Sequence, residues 1–95
     1  MNNYQLAISG LSWNTTEREL EILFSEIGKV REVTLITNSM SGESIGEAFV
    51  SMSKKSEAKT AERILDRKVI NGKEIRVEIT PLNDKSFKKA ILSNA

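Results

Sequence analysis

Two neighbouring runs, Val30-Arg31-Glu32-Val33-Thr34-Leu35-Ile36-Thr37 and Gly46-Glu47-Ala48-Phe49-Val50-Ser51-Met52, decide how this chain of 95 residues folds. Both are rich in β-branched or aromatic side chains, and both alternate along their length. Val33 and Leu35 fall on one side of the first run, with Thr34 and Ile36 on the other. In the second, Ala48, Val50 and Met52 oppose Glu47, Phe49 and Ser51. The polar stretch from Asn38 to Ser44, which contains Gly42, breaks regular structure between them. This pattern predicts an antiparallel hairpin with one buried face.

On the N-terminal side, Thr16 followed by Glu19 is a capping box, and Leu20, Leu23, Phe24 and Ile27 recur at helical spacing up to Gly28. Before that helix, Leu6 and Ile8 alternate with Gln5, Ala7 and Ser9 in a strand that Gly10 ends. On the C-terminal side, Ser53 or Ser56 is placed to cap a second helix running through Asp66, with Ala58, Ala61, Ile64 and Leu65 as its apolar face. Asn71-Gly72 is a two-residue turn signal between Val69-Ile70 and a strand from Glu74 to Thr80, whose inward residues are Ile75, Val77 and Ile79. Pro81 closes that strand. The element order is β-α-β-β-α-β: an α+β, ferredoxin-like sandwich with a four-stranded antiparallel sheet and two helices on one face. Residues 1–81 form the domain. Residues 82–95 form a basic C-terminal tail in which Asp84 could cap a short helix bearing Phe87, Ala90 and Ile91 on one side.

Composition removes most chemistry. The chain has neither cysteine nor histidine, so disulfides, thiolate metal sites, the usual zinc sites and Ser-His triads are excluded. The carboxylates Glu17, Glu19, Glu21, Glu26 and Glu32 have no partner base or cleft, and Gly42 to Gly46 lacks the ending of a phosphate-cradling loop. No enzyme and no cofactor is expected. Charge is uneven along the chain. Residues 1–52 carry 3 basic and 7 acidic side chains, a net of −4, while residues 53–95 carry 11 basic and 6 acidic, a net of +5. A polyanion is expected to prefer the C-terminal half. With no signal peptide and no membrane-spanning run, the reading is of an intracellular, most simply cytoplasmic, protein with no membrane partner.

Two helices on one face leave the other sheet face to solvent unless the tail covers it. That face carries Gln5, Ala7, Ser9, Thr34, Ile36, Glu47, Phe49, Ser51, Arg76, Glu78 and Thr80, with Phe49 the single aromatic among them.

Leu6-Ala7-Ile8-Ser9-Gly10-Leu11 resembles the hexamer, and Ile45-Gly46-Glu47-Ala48-Phe49-Val50-Ser51-Met52 the octamer, of the RNA recognition motif family. Gly10-Leu11-Ser12-Trp13, followed by Thr15-Thr16, is similar to the strand-helix junction of heterogeneous nuclear ribonucleoprotein and Musashi-type members. The resemblance implies stacking aromatics at one hexamer and two octamer positions and a basic residue opening the octamer. Those positions are Ala7, Glu47, Phe49 and Ile45 here, so only Phe49 matches. Two missing stacks remove about 2–6 kcal/mol of binding. The motif Gly46-Glu47-Ala48-Phe49-Val50 also resembles the quasi-type motifs of the F/H ribonucleoproteins, which bind through loops, but the arginines that support such binding are absent.

The resulting expectation is weak-to-moderate binding of single-stranded RNA, with single-stranded DNA as a variant, in the service of post-transcriptional regulation. Phe49 is the platform and Trp13 extends it; Gln5, Ser9 and Ile36 line the face, and Arg76, Lys85, Lys88 and Lys89 supply charge. The plainer role for Arg76 is a cross-strand pair with an acid such as Glu47, and for Trp13 packing at the start of the first helix. The rival expectation is a protein partner or a homodimer, with Phe87, Ala90 and Ile91 docked over Phe49 and Ile36.

Overall fold

The computed structural model describes residues 4–80. Its elements are β1 (Tyr4–Ser9), α1 (Glu17–Ser25), β2 (Val30–Thr37), β3 (Ser44–Met52), α2 (Lys55–Leu65), β4 (Val69–Ile70), β5 (Lys73–Glu74) and β6 (Arg76–Thr80). Four strands form one sheet in the order β2-β3-β1-β6, every neighbouring pair antiparallel. Alternation sends Leu6, Ile8, Ala48, Val50, Met52 and Val77 to the same side, where they close a core with Leu20 and Phe24 of α1 and Ala58, Ala61 and Leu65 of α2. The architecture is the α+β sandwich read from the element order.

Local signals place the helix and hairpin ends. Thr16 Oγ1 accepts from the Glu19 amide at 3.1 Å, and Glu19 Oε1 accepts from the Thr16 amide at 3.0 Å, completing the capping box. Asn71 and Gly72 both take positive φ, 52° and 82°, as a tight hairpin turn between β4 and β5 requires.

Three expectations are corrected. The strand expected from Glu74 to Thr80 is split at Ile75, whose amide donates to the Lys68 carbonyl at 2.9 Å and whose carbonyl accepts from the Arg67 amide at 2.8 Å. Ile75 thereby turns fully into the core, and β4-β5 becomes a separate hairpin. The second helix is not capped by Ser53 or Ser56: its N-cap is Lys54, without a side-chain bond, and the Ser53 amide donates to the Lys29 carbonyl at 3.1 Å. Ile64 is exposed rather than part of the apolar face, since it lies about a quarter-turn off the line through Ala58, Ala61 and Leu65.

The edge strands are closed by helix carboxylates. Along β2, Glu17 Oε2 accepts from the Leu35 amide at 2.8 Å. Along β6, Asp66 Oδ1 accepts from the Val77 amide and Glu62 Oε2 from the Ile79 amide, each at 2.9 Å. These acceptors satisfy donors that an edge strand otherwise presents to water or to another chain.

Candidate nucleic-acid interface

The pairing registers fix which residues share the face opposite the helices. The middle row runs Thr34, Phe49, Ala7, Glu78 from β2 to β6. A second row runs Glu32, Ser51, Gln5, Thr80, and at the other end Ile36 pairs with Glu47 and Ser9 with Arg76. Gln5, Ser9, Ile36, Phe49 and Arg76 are therefore brought together on one surface.

That surface is not uniformly wet. Phe49 and Ala7 are each 8% exposed, and Gln5 and Thr80 are buried as well, whereas Glu32, Thr34, Arg76 and Glu78 at the margins are exposed. β1 and β3 are inner strands, so a short side chain such as Ala7 is flanked on both sides by larger ones. The face is thus exposed at its rim and buried at its centre.

The charge of the face is acidic among the described residues: Glu32, Glu47 and Glu78 against Arg76. Arg76 is moreover engaged. Its Nε donates to Asp66 Oδ1 at 2.9 Å, so its ion-pair partner is the α2 C-cap and not Glu47. The same carboxylate oxygen receives the Val77 amide, and these two donors, the amide first, hold the Asp66 carboxyl below its usual range. The Asp66 carboxylate in turn raises the Arg76 guanidinium. An aspartate directly after α2, 10 residues before Arg76, was the available clue to this pair.

Trp13 sits elsewhere. It is 77% exposed, and it lines a groove with Arg18, Leu35 and the segment 42–44. Leu35 packs toward the core, so this groove opens at the end of the sheet beside β2, beyond the rows that hold Phe49. The turn carrying Trp13 is pinned at both ends. The Leu11 amide donates to the Gly46 carbonyl at 3.0 Å, and Asn71 Nδ2 donates to Thr15 Oγ1 at 3.1 Å and to Glu19 Oε2 at 3.2 Å. The Asn71 bond is the largest reason the Glu19 carboxyl is held below its usual range, followed by the Thr16 amide.

Lys85, Lys88, Lys89 and the tail residues Phe87, Ala90 and Ile91 lie outside the described residues. Among the described residues there is no cluster of acidic, histidine or cysteine side chains able to hold a metal, and no helix long and apolar enough to cross a membrane.

Known proteins share this arrangement. The profile of the RNA recognition motif matches residues 6–76. The chain is 39% identical over 75 residues to the glycine-rich RNA-binding protein 4, mitochondrial, of Arabidopsis thaliana, covering 79% of this chain and 55% of that protein. It is 41% identical over 73 residues to the serine/arginine-rich splicing factor SR45a of the same plant, covering 77% of this chain and 19% of that one. The chain thus spans about half the length of the first relative and a fifth of the second. Among solved structures, the RNA-binding protein PG1 superposes with a TM-score of 0.79 at 25% identity, over 81% of this chain and 93% of that one. The RNA15 recognition motif superposes with a TM-score of 0.80 at 20% identity, over 86% and 94%. The sheet order, the paired helices and the sequence match agree, and the chain belongs to the RNA recognition motif family.

Proposed function

We propose that this chain binds single-stranded RNA across the outer face of its sheet, without chemistry of its own, as a module of post-transcriptional control. The observation that carries the reading is Phe49 in the middle row of a recognition-motif sheet, flanked in register by Ala7 and Thr34. Sheets of this kind stack unpaired bases on such rings. The matched relatives are named as RNA-binding and splicing proteins, which supports the same assignment.

Phe49 stacks one base; Gln5 and Ser9 offer hydrogen bonds to base edges, and Ile36 an apolar contact. Trp13 takes a base leaving the sheet toward the adjacent groove. Arg76, Lys85, Lys88 and Lys89 meet phosphates. Glu32, Glu47 and Glu78 oppose phosphate, so affinity is moderate and rests on stacking. Single-stranded DNA binds by the same ring, because stacking does not read the 2′-hydroxyl. We place the protein inside the cell, in the cytoplasm.

A backbone-amide titration with short mixed-sequence RNAs tests the reading. Shifts are expected at Trp13, Phe49 and Arg76, and Phe49→Ala should weaken binding by about 5- to 150-fold, the equivalent of one stack. If Trp13→Ala and Phe49→Ala both leave the affinity unchanged, the mechanism is wrong.

The low exposure of Phe49, Ala7, Gln5 and Thr80 favours a second reading, in which the face is a covered surface serving a protein partner or a homodimer. Residues 82–95 then dock through Phe87, Ala90 and Ile91 over Phe49 and Ile36. Phe87→Ala is expected to change oligomeric state or partner binding, and slow amide exchange at residues 84–92 is required. Where the tail only competes with RNA, ending the chain at residue 81 tightens RNA binding.

A further inference from the structure

On the side of the molecule away from the sheet's outer face, α1 and the β4-β5 hairpin enclose a groove of about 360 Å³. Its walls are mostly apolar. Leu20 is fully buried at the floor, Leu23 and Ile70 are half-buried, and two large aliphatic side chains stand on the rim: Ile22, 53% exposed, and Val69, 63% exposed. The hairpin is held in place by the Asn71 bonds to Thr15 and Glu19, so the groove is a formed feature and not a gap between loose parts.

Its charge is one-sided. Glu19 and Glu26 line it against a single cation, Lys68. The helix that forms one wall carries Glu17, Glu19 and Glu21 against Arg18, and its last turn holds no basic residue to offset the partial negative charge there, to which Glu26 adds a full one. An apolar slot with an acidic rim repels nucleic acid and complements a cationic segment that carries a bulky apolar side chain.

We propose that this groove is a protein-docking surface whose occupant is a basic peptide segment: one or two large apolar side chains seated between Ile22 and Val69 over Leu20, with flanking lysines or arginines set against Glu19, Glu26 and the end of α1. This surface is separate from the sheet face, so RNA and the basic partner bind together and each can be tested without the other.

The test uses the full chain and three fluorescein-labelled peptides: KKRFLRKK, the same peptide with serines for its apolar pair (KKRSSRKK), and a charge-reversed form (EEDFLDEE). KKRFLRKK is expected to bind saturably, with amide shifts confined to residues 19–26 and 68–70. The serine and charge-reversed peptides should bind at least about tenfold more weakly, as loss of a central anchor or of complementary charge does at interfaces. Ile22→Ser with Val69→Ser should weaken KKRFLRKK by a similar factor. Glu26→Lys, at an exposed helix end, provides a second variant that does not touch the core. RNA titration of the same samples separates the two sites, since neither variant alters a residue assigned to RNA. Equal binding of KKRFLRKK and KKRSSRKK, shifts on the outer sheet face instead of the groove, or an affinity unmoved by both variants overturns the proposal.

Discussion

Gly10 and Gly42 share a φ of +76° in different surroundings, and substituting alanine at each separates two costs. A left-handed conformation costs an L-residue about 1–2 kcal/mol, offset by about 0.4–1 kcal/mol from restricting the unfolded chain. That net conformational cost, about 0–1.6 kcal/mol, is common to both positions. At Gly42 it stands alone, because a Cβ there meets nothing within 4 Å. At Gly10 a Cβ would lie 2.7 Å from the Glu74 carbonyl oxygen and 3.5 Å from the Ile75 Cα. Both are backbone atoms, so β5 must shift, at the cost typical of overpacking, about 1–3 kcal/mol. For a domain of this size each kcal/mol lowers Tm by about 4–8 °C. Gly42→Ala is therefore expected to lower Tm by at most roughly 13 °C and Gly10→Ala by roughly 4–37 °C, with the gap between the two set by the contact. Thermal unfolding of the full chain followed by far-UV circular dichroism measures both. Equal Tm losses would refute the close passage of the β1 end beneath β5.

Three further outcomes follow from the bonds at the sheet margins and the charge of its outer face. Asp66 is held below its ordinary value of 3.8 in the folded protein, so its contribution is present above that pH and is lost as pH falls through the lower, folded value. Asp66→Asn should lower Tm at pH 7 and narrow the Tm difference between pH 7 and pH 2–3; an undiminished difference contradicts the assignment. Glu62→Ala strands the part-buried Ile79 amide and should cost about 1–3 kcal/mol, read as a lower urea midpoint with an unchanged slope. Glu78→Lys, at the exposed end of the Phe49 row, should raise RNA affinity several-fold at low salt, with the gain fading toward 0.5 M salt as charges are screened to about 4 Å. A gain that survives high salt would point to a new contact in place of relieved repulsion.

What could be read from the sequence was whatever is decided within a few residues. The Thr16-Glu19 box, the Asn71-Gly72 turn and the alternation of Ala48, Val50 and Met52 all act over short separations, and together they gave the element order. The split at Ile75 departed from expectation because it answers to a distant backbone group, the α2-β4 connection, and α2 begins at Lys54 with no side-chain cap at all. The candidate site divided in the same way. Alternation put Phe49, Ala7 and Gln5 on one face but carries no information about depth, and all three are buried. The plainer role expected of Arg76, a cross-strand pair with an acid such as Glu47, gives way to a pair with Asp66, which helix docking supplies. Trp13 was expected beside the platform, and the bonds that pin its turn set it at a different groove.

The carboxylates of Glu17, Glu62 and Asp66 also bear on how this domain behaves in a crowded solution. Two flat, unguarded strands would let one molecule extend the sheet of the next, and the addition could repeat without limit, as in amyloid growth. An acceptor lent by the molecule's own helices at three amides takes those docking points out of play. Polymerisation must first dislodge a side chain on whichever flank it starts from. The acids that look like idle surface charge in the sequence thus raise the barrier to edge-to-edge addition on both flanks of the sheet.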